Sequence, residues 1–359
     1  MSWPTKKLND VLEINYGKNL PKNQRVDSGK YFAYGSNGPV YNTDDSLTEG
    51  ETIVIGRKGT AGALYFTNQP CWPIDTTFFA KPKNDTSLKF IYYLLQIKRL
   101  SRLAIVTGVP GINRTTLSNV DVQLPPLSIQ KQIVDRLDKI AEAQKLNDEL
   151  ISKTDELFQS LLHQELNPAG KDWQMKKLSD IGDIVTGTTP STKNAEYWNG
   201  EFLWATPTDI KEDTFILSDT PKKLSREGYG KTRPVPKNAI LVTCIASIGK
   251  MVLAGKEMAT NQQINSIVCS KEANPFFVFF SLQRNKRKLI SLGKTTAVPI
   301  INKSEFGIIK IPLPPLKAQE QIVAKLSAVQ NYKKQLLEQK AKLKELFDSA
   351  LAKSLSNKN

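Results

Sequence analysis

LPPLSIQKQIV at 124–134 and LPPLKAQEQIV at 313–323 are one motif written twice, and the organisation of the chain can be read outward from the pair. In each copy two prolines bar a strand from continuing. A run free of Pro and Gly follows, 128–163 after the first and 317–359 after the second. Both runs are rich in Gln, Lys, Glu, Leu and Ala, which favour helix, and Ser128 is placed to cap the first. Apolar residues recur there at helical spacing. They are Ile133, Leu137, Ile140, Ile151, Phe158 and Leu161 in one run, and Ile322, Leu326, Val329, Leu336, Leu343, Phe347 and Ala350 in the other. Gln144, Asn147 and Thr154 interrupt the first stripe, Lys333 and Lys340 the second. So narrow a stripe predicts two helices that pair with each other. A helix lying on its own globule needs a broader apolar face.

The motif is one block of a longer repeat. Trp3, Lys6, Lys7, Leu8, Asp10 and Gly17 return as Trp173, Lys176, Lys177, Leu178, Asp180 and Gly187. GETIVIGRKGTAG (50–62) parallels KNAILVTCIASIG (237–249), with Ile53 on Ile240 and Gly62 on Gly249. VPGIN (109–113) parallels VPIIN (298–302), and Gln130, Gln132, Ile133, Val134 and Leu137 return as Gln319, Gln321, Ile322, Val323 and Leu326. The offset grows from 170 through 187 to 189, so the copies differ by insertions in loops. Four blocks in one order mean a tandem duplication, at a period far above that of solenoids. The product is two globules related by an approximate two-fold axis, whose long helices pair antiparallel. A run of 36 residues, 128–163, makes a helix about 54 Å long.

Within each globule the pattern is mostly strand-like. Thr52–Ile55 and Ile240–Thr243 are β-branched runs, and 119–124 alternates as N-V-D-V-Q-L. Short helices fit 87–103 and 275–292, and Gly35, Gly38 and Pro39 punctuate one loop while Pro207, Pro221, Pro234 and Pro236 punctuate others. The expected class is α+β: two α/β globules separated by two long antiparallel coiled-coil helices.

The 359 residues carry 50 Lys+Arg against 35 Asp+Glu, a formal net charge of +15, and 40% hydrophobic residues. That suits a globular chain with a polyanionic partner, since each phosphate neutralised by Lys or Arg releases counterions. Cys71, Cys244 and Cys269 show no metal-ligand spacing and read as buried thiols in a reducing cytosol, hence a cytoplasmic protein. The single histidine, His163, lies on a charged helical stretch, which argues against a zinc or His-based catalytic centre. MSWPTKKLND holds no apolar core of signal-peptide length. The longest apolar run, Pro275–Phe280, is far below the roughly 20 residues of a membrane helix, so no membrane partner is expected.

These features together resemble the specificity subunit of type I restriction–modification systems. The motifs carrying the resemblance are the W-x-x-K-K-L starts, YGSNGPV (34–40), IGRKGTAG (55–62), IDTTFF (74–79) and the two LPPL-x-x-Q-x-QIV junctions. They span nearly the whole chain. The resemblance implies two target recognition domains, 1–126 and 167–315, each reading half of a bipartite double-stranded DNA site. It implies spacer helices at 127–166 and 316–359 that dock two methyltransferase subunits, and a complex that recruits restriction (motor–nuclease) subunits. A duplicated basic reader on a rigid spacer contacts two short duplex segments, and rigidity fixes the number of unread base pairs between them. Because the globules differ in sequence, so do the half-sites.

For DNA contact the first globule offers Lys18, Lys22, Arg25, Ser36, Asn37, Arg57 and Lys58. Arg57 and Lys58 lie in a Gly-bounded loop after a strand, where Arg suits a bidentate guanine contact and Lys a phosphate. Asn37 sits between two glycines, where its amide reaches an adenine edge. The second globule offers Lys193, Thr206, Thr208, Lys211, Lys222, Lys223, Arg226, Lys231 and Arg233. Asn261, Gln262 and Gln263 suit adenine readout, or equally cap a strand end. Trp72, Trp198 and Trp204 read as core.

No catalytic residue, metal site or cofactor is expected. NPFF (274–277) is similar to the Asn-Pro-Pro-Tyr/Phe loop of adenine methyltransferases but lacks its second proline. GKT (293–295) lacks the Gly of a phosphate loop, Lys288 standing in its place. The alternative to a specificity subunit is a non-catalytic basic coiled-coil scaffold binding RNA or protein.

Overall fold

The computed structural model describes residues 3–83, 86–106, 108–211, 214–293 and 299–355. Val298 of the second VPIIN, Lys294 and Thr295 of GKT, and 356–359 of the second long run lie outside them. The chain divides into two compact units, Met1–Glu149 with Leu337–Asn359, and Leu150–Leu336.

In the first unit a four-stranded antiparallel sheet runs in the order Leu12–Tyr16, Thr77–Pro82, Thr52–Gly56, Leu64–Thr67. Thr52–Gly56 is buried along its whole length, which is why it reads as a continuous β-branched run rather than an alternating one. Beside it, Tyr31–Gly35 pairs antiparallel with Gly38–Thr43 and parallel with Cys71–Pro73. YGSNGPV, expected as a loop, is therefore a hairpin with Ser36 and Asn37 at its tip. A two-stranded ribbon joins Thr5–Lys7 to Asp121–Gln123, shorter than the alternation at 119–124 suggested, because Asn119 closes the helix Arg114–Ser118.

The helix Leu88–Lys98 starts where the Ser87 hydroxyl accepts the Phe90 N–H, and it buries Phe90, Ile91, Leu94 and Leu95 against the sheet. Each such side chain contributes about 1.5–3 kcal/mol on leaving water. The single helix expected over 87–103 breaks at Arg99, which adopts φ 47°, and resumes as a 3-10 turn, Leu100–Leu103. Its counterpart likewise splits into Pro275–Arg284 and Lys286–Leu292.

The second unit repeats the plan with a five-stranded sheet. Its order is Gly182–Thr186, Ile264–Cys269, Ile240–Thr243, Met251–Ala254, Ile216–Leu217, the last pair parallel. A smaller sheet holds Lys223–Leu224, Trp198–Ala205 and Ala259–Thr260, and a ribbon joins Gln174–Lys177 to Lys310–Leu313. Asn274 of NPFF is a helix cap: its carboxamide oxygen accepts the N–H groups of Phe276 and Phe277, and Phe277, Phe279 and Phe280 enter the core.

The long runs form single helices, Leu127–Glu165 and Leu316–Leu355. The first begins at Leu127, so Ser128 lies inside the first turn and is not its cap. In the first unit the two helices run antiparallel: the Gln144 amide donates to the Leu343 carbonyl at 3.2 Å, and Lys340 pairs with Asp148 at 2.9 Å. In the second, Lys333 meets Asp155 at 2.5 Å and Lys325 meets Glu165 at 2.8 Å, again antiparallel. The lysines that break the apolar stripe thus face carboxylates.

The expected choice between helix pairing and globule packing is corrected, because the stripe does both. Ile133, Leu137 and Ile140 belong to the first core with Ala350 and Leu351, and Phe347 packs on them. Phe158, Ile322 and Leu326 belong to the second core, with Leu161 and Val329 packed against it. Ile151 and Leu343 are half-buried and Leu336 is buried. The globule fills the side of the groove that a second broad apolar face would have filled.

The recurring Gln of the junction has a structural task. Gln130, 1% exposed, accepts the Ser87 N–H at 2.9 Å and donates to the Pro125 carbonyl at 2.8 Å. Gln319, 0% exposed, accepts the Asn274 N–H at 2.8 Å and donates to the Pro314 carbonyl at 2.8 Å. Each ties the start of a long helix to the cap of an earlier helix in the same unit, Leu88–Lys98 in the first and Pro275–Arg284 in the second. Asp138 adds a second tie in the first unit, accepting from the Tyr93 hydroxyl at 2.5 Å and the Lys89 ammonium at 2.7 Å. Burial and that carboxylate push the Tyr93 hydroxyl well above the usual tyrosine range, so it stays a donor. Among the described residues no helix is long and apolar enough to cross a membrane, and no group of His, Cys, Asp and Glu is arranged to hold a metal ion.

Candidate nucleic-acid interface

In the first unit the loop residues converge on backbone carbonyls of the segment Pro73–Thr77, the centre of the IDTTFF motif. Gly17 N–H donates to Thr77 and Lys18 N–H to Pro73, both at 3.0 Å. A Cβ on Gly17 would stand 2.0 Å from the Ile74 oxygen, so no other residue fits this approach. Arg57 and Lys58 give their N–H groups to the Thr76 carbonyl at 2.9 and 3.2 Å, and the Ser36 hydroxyl donates to the same oxygen at 2.5 Å. The Arg57 guanidinium donates to the Asp75 carbonyl through Nη2 at 2.6 Å and lies 5.6 Å from the centre of the Tyr16 ring. Arg114 approaches the same ring at 5.9 Å. Tyr16 is 49% exposed, and Asn37 and Lys58 are exposed.

The structure therefore brings Lys18, Ser36, Asn37, Arg57 and Lys58 to one strand-end cluster. Ser36, at 7% exposed with its hydroxyl engaged, holds the hairpin in place rather than presenting itself to a ligand. Arg25 is not part of the cluster's hydrogen bonding: its guanidinium donates to the Leu20 carbonyl at 2.9 Å and stacks 4.4 Å over the Tyr41 ring. Lys22 is exposed on a neighbouring 3-10 turn.

The second unit builds the same hub from Thr260–Ile264. Gly187 N–H donates to Ile264 at 3.0 Å, Thr188 N–H to Thr260 at 2.7 Å and Cys244 N–H to Gln263 at 2.8 Å. Arg233 donates to the Thr188 hydroxyl at 3.0 Å and to the Gly187 carbonyl at 3.3 Å, and the Thr189 hydroxyl donates to the Gln262 side chain. Arg233 and Gln262 are exposed and stand together there. Asn261 is 7% exposed, and its side chain accepts the Gln263 N–H and donates to the Gln263 side chain, both at 3.1 Å. That is the strand-capping role weighed above, so Asn261 does not face outward. Thr206 donates to the Asp209 carboxylate at 2.7 Å and bonds the Thr208 hydroxyl at 2.8 Å, closing a turn. Lys223 holds Asp219 at 3.0 Å, and this hydrogen bond keeps the Asp219 carboxyl below its ordinary range. Lys222 and Arg226 are exposed beside it in sequence, and Lys193, Lys211 and Lys231 are exposed on other segments.

Sequence reasoning passed over Tyr16 and Arg114. It also passed over a run without carboxylates in each copy. Residues 98–119 hold Lys98, Arg99, Arg102 and Arg114 and no Asp or Glu, and 274–304 hold Arg284, Lys286, Arg287, Lys288, Lys294 and Lys303 likewise. The signal was available as a one-sided charge balance over a window.

A family model described as type I restriction modification DNA specificity domain matches residues 2–153 and 170–346. Among curated proteins, the type I restriction enzyme MjaIX specificity subunit of Methanocaldococcus jannaschii is 29% identical over 52% of this chain and 44% of its own length. The HindI specificity subunit of Haemophilus influenzae is 35% identical over 40% of this chain and 32% of its own length. These alignments thus span less than half of either relative. The putative type I specificity subunit S.MpnORF507P of Mycoplasma pneumoniae is 24% identical over 91% of this chain and 89% of its own length. The crystal structure of the type I restriction–modification S subunit from M. genitalium superposes with a TM-score of 0.72 at 16% identity, covering 100% of this chain and 97% of that one. The HsdS subunit from Thermoanaerobacter tengcongensis gives 0.51 at 18% identity, covering 99% and 97%. At these identities the structural likeness is one of fold.

Proposed function

We infer, from the premise that this chain belongs to the type I restriction modification DNA specificity family, that it selects the DNA sequence on which a methyltransferase and nuclease assembly acts. The observation carrying this reading is the doubled hub. Two copies of one strand-end architecture each gather cations and amides, and the side chains they gather differ. In this reading 1–126 and 167–315 are target recognition domains, each meeting its own half of a bipartite duplex site, and 127–166 and 316–359 are spacer helices. Two methyltransferase subunits dock on the chain, and motor–nuclease subunits join the complex in the cytoplasm. Methyl transfer and cleavage belong to those partners, because this sequence carries no Gly-rich cofactor loop and no complete phosphate loop.

Arg57, Lys58 and Asn37 are the base and phosphate contacts of the first half-site, and Arg233, Gln262 and Gln263 those of the second. A guanidinium or carboxamide at a groove edge discriminates a base pair by about 1–3 kcal/mol. The target is first read from the methylation pattern of cells with and without this chain. The chain assembled with its methyltransferase subunits is then expected to protect a discontinuous duplex site in a footprint, whereas an RNA or protein scaffold protects none. Arg57→Ala is expected to relax base preference in one half-site by about tenfold or more. Loss of preference in both half-sites at once would contradict independent readers.

A further inference from the structure

The loop that follows Thr52–Gly56 and the loop that follows Ile240–Thr243 are pinned in the same way. Gly59 N–H donates to the Pro110 carbonyl at 2.9 Å, and Ala246 N–H to Pro299 at 3.0 Å. Ile112 N–H donates to the Arg57 carbonyl at 2.9 Å, and Ile301 N–H to Cys244 at 2.8 Å. Asn113 caps one short helix by accepting the Thr116 N–H at 2.7 Å, and Asn302 caps the other by accepting the Glu305 N–H at 2.9 Å. Backbone bonding thus equates Arg57 with Cys244, Lys58 with Ile245, Asn113 with Asn302 and Arg114 with Lys303. The sequence offset equates Tyr16 with Thr186.

In this matched frame three of the first copy's outward groups are gone from the second. Thr186 replaces the exposed Tyr16 ring, Ile245 replaces Lys58, and Cys244, 2% exposed, replaces Arg57. The position after the Asn cap instead keeps its charge. Arg114 and Lys303 are both exposed, and both belong to a run with no carboxylate before it for more than a dozen residues. The next carboxylate after Lys303, that of Glu305, accepts the Asn302 N–H at 3.0 Å.

Two readers of different half-sites need different groups at base edges, whereas a group set against the backbone can be common to both, because the backbone is chemically alike in every sequence. We propose that Arg114 and Lys303 are one contact made twice, a side-chain cation set against a DNA phosphate, while Tyr16, Arg57 and Lys58 make contacts peculiar to the first half-site. A stretch of chain that carries cations and no carboxylate fits a polyanionic partner. The inference rests on the functional reading above.

The test uses the complex assembled with methyltransferase subunits, on a duplex carrying the target and on duplexes altered in either half-site. For Arg114→Gln and for Lys303→Gln the slope of log affinity against log salt is expected to fall by about one, and by about two in the double variant. Binding weakens by the same factor on every duplex, so discrimination stays intact, and Arg114→Lys restores the slope. Over a fourfold rise in salt each single variant loses about threefold less affinity than the parent. An unchanged slope overturns the proposal, as does altered preference at one half-site, which would make the residue a base reader. Failure to assemble with the methyltransferase overturns it in favour of a protein contact. If the parent complex itself protects no duplex, the functional reading fails first. If the parent binds and the Gln variants match it, only this inference fails.

Discussion

Burial pushes the Cys269 thiol up to about 12 and, against opposing hydrogen bonds from Asn265, the Cys244 thiol up to about 11, with the Cys71 thiol also raised by burial. The reactive form is the thiolate. With pKa values this high, only about a thousandth or less of Cys244 and Cys269 is ionised at pH 8. The expected outcome is that iodoacetamide labels the native protein slowly and the denatured protein at all three cysteines, as read by mass spectrometry. Native labelling at the denatured rate would mean these thiols are not where the core holds them. The same residue-level logic explains why Gly17 and Gly187 recur. A Cβ at either would lie 2.0 Å from a hub carbonyl oxygen, of Ile74 or of Asn261. The hub depends on backbone carbonyls that only a glycine lets the chain approach.

At the scale of elements, the junction glutamines make the long helices continuous with the globules. Gln319→Ala leaves the Asn274 N–H and two carbonyls, of Pro314 and Glu272, without their partner. Each buried group stripped of its hydrogen bond costs about 1–3 kcal/mol. Denaturant unfolding of the variant should therefore show a loss of about 3 kcal/mol or more, with Gln319→Glu recovering only the acceptor half. A loss below about 0.5 kcal/mol would make the recurrence of this residue unrelated to the joint. The existence and length of these helices were legible in the sequence, as were the strands Thr52–Gly56 and Ile240–Thr243, because patterning and composition act locally. The use of the apolar stripe was only half legible. Ile133, Leu137, Phe158 and Ile322 face a globule core as well as a helix, and residue spacing on one helix does not reveal what lies opposite it. The hubs were less legible still. They are made of carbonyls that no side-chain pattern encodes, and they join Gly17 to Thr77 and Gly187 to Ile264 across long stretches of chain. Arg57 stands out as a candidate because glycines flank its loop, whereas Arg114 stands in a segment marked only by the acids it lacks.

For the molecule as a whole, the first unit draws on both ends of the chain, Met1–Glu149 and Leu337–Asn359. Its core counts Ala350 and Leu351 among its buried members, and Phe347 packs on them with its ring 5.8 Å from that of Tyr93. A chain stopped before Leu337 should bind a fluorescent apolar dye and aggregate, while the second unit's sheet, complete by Leu336, keeps its cooperative transition. An equally soluble, dye-silent truncation would mean the last helix contributes little to that core. During synthesis the ribosome makes the first unit's sheet long before it makes Phe347, Ala350 and Leu351. The nascent protein must therefore carry an uncovered apolar face through the translation of some two hundred residues, about ten to forty seconds at ordinary elongation rates.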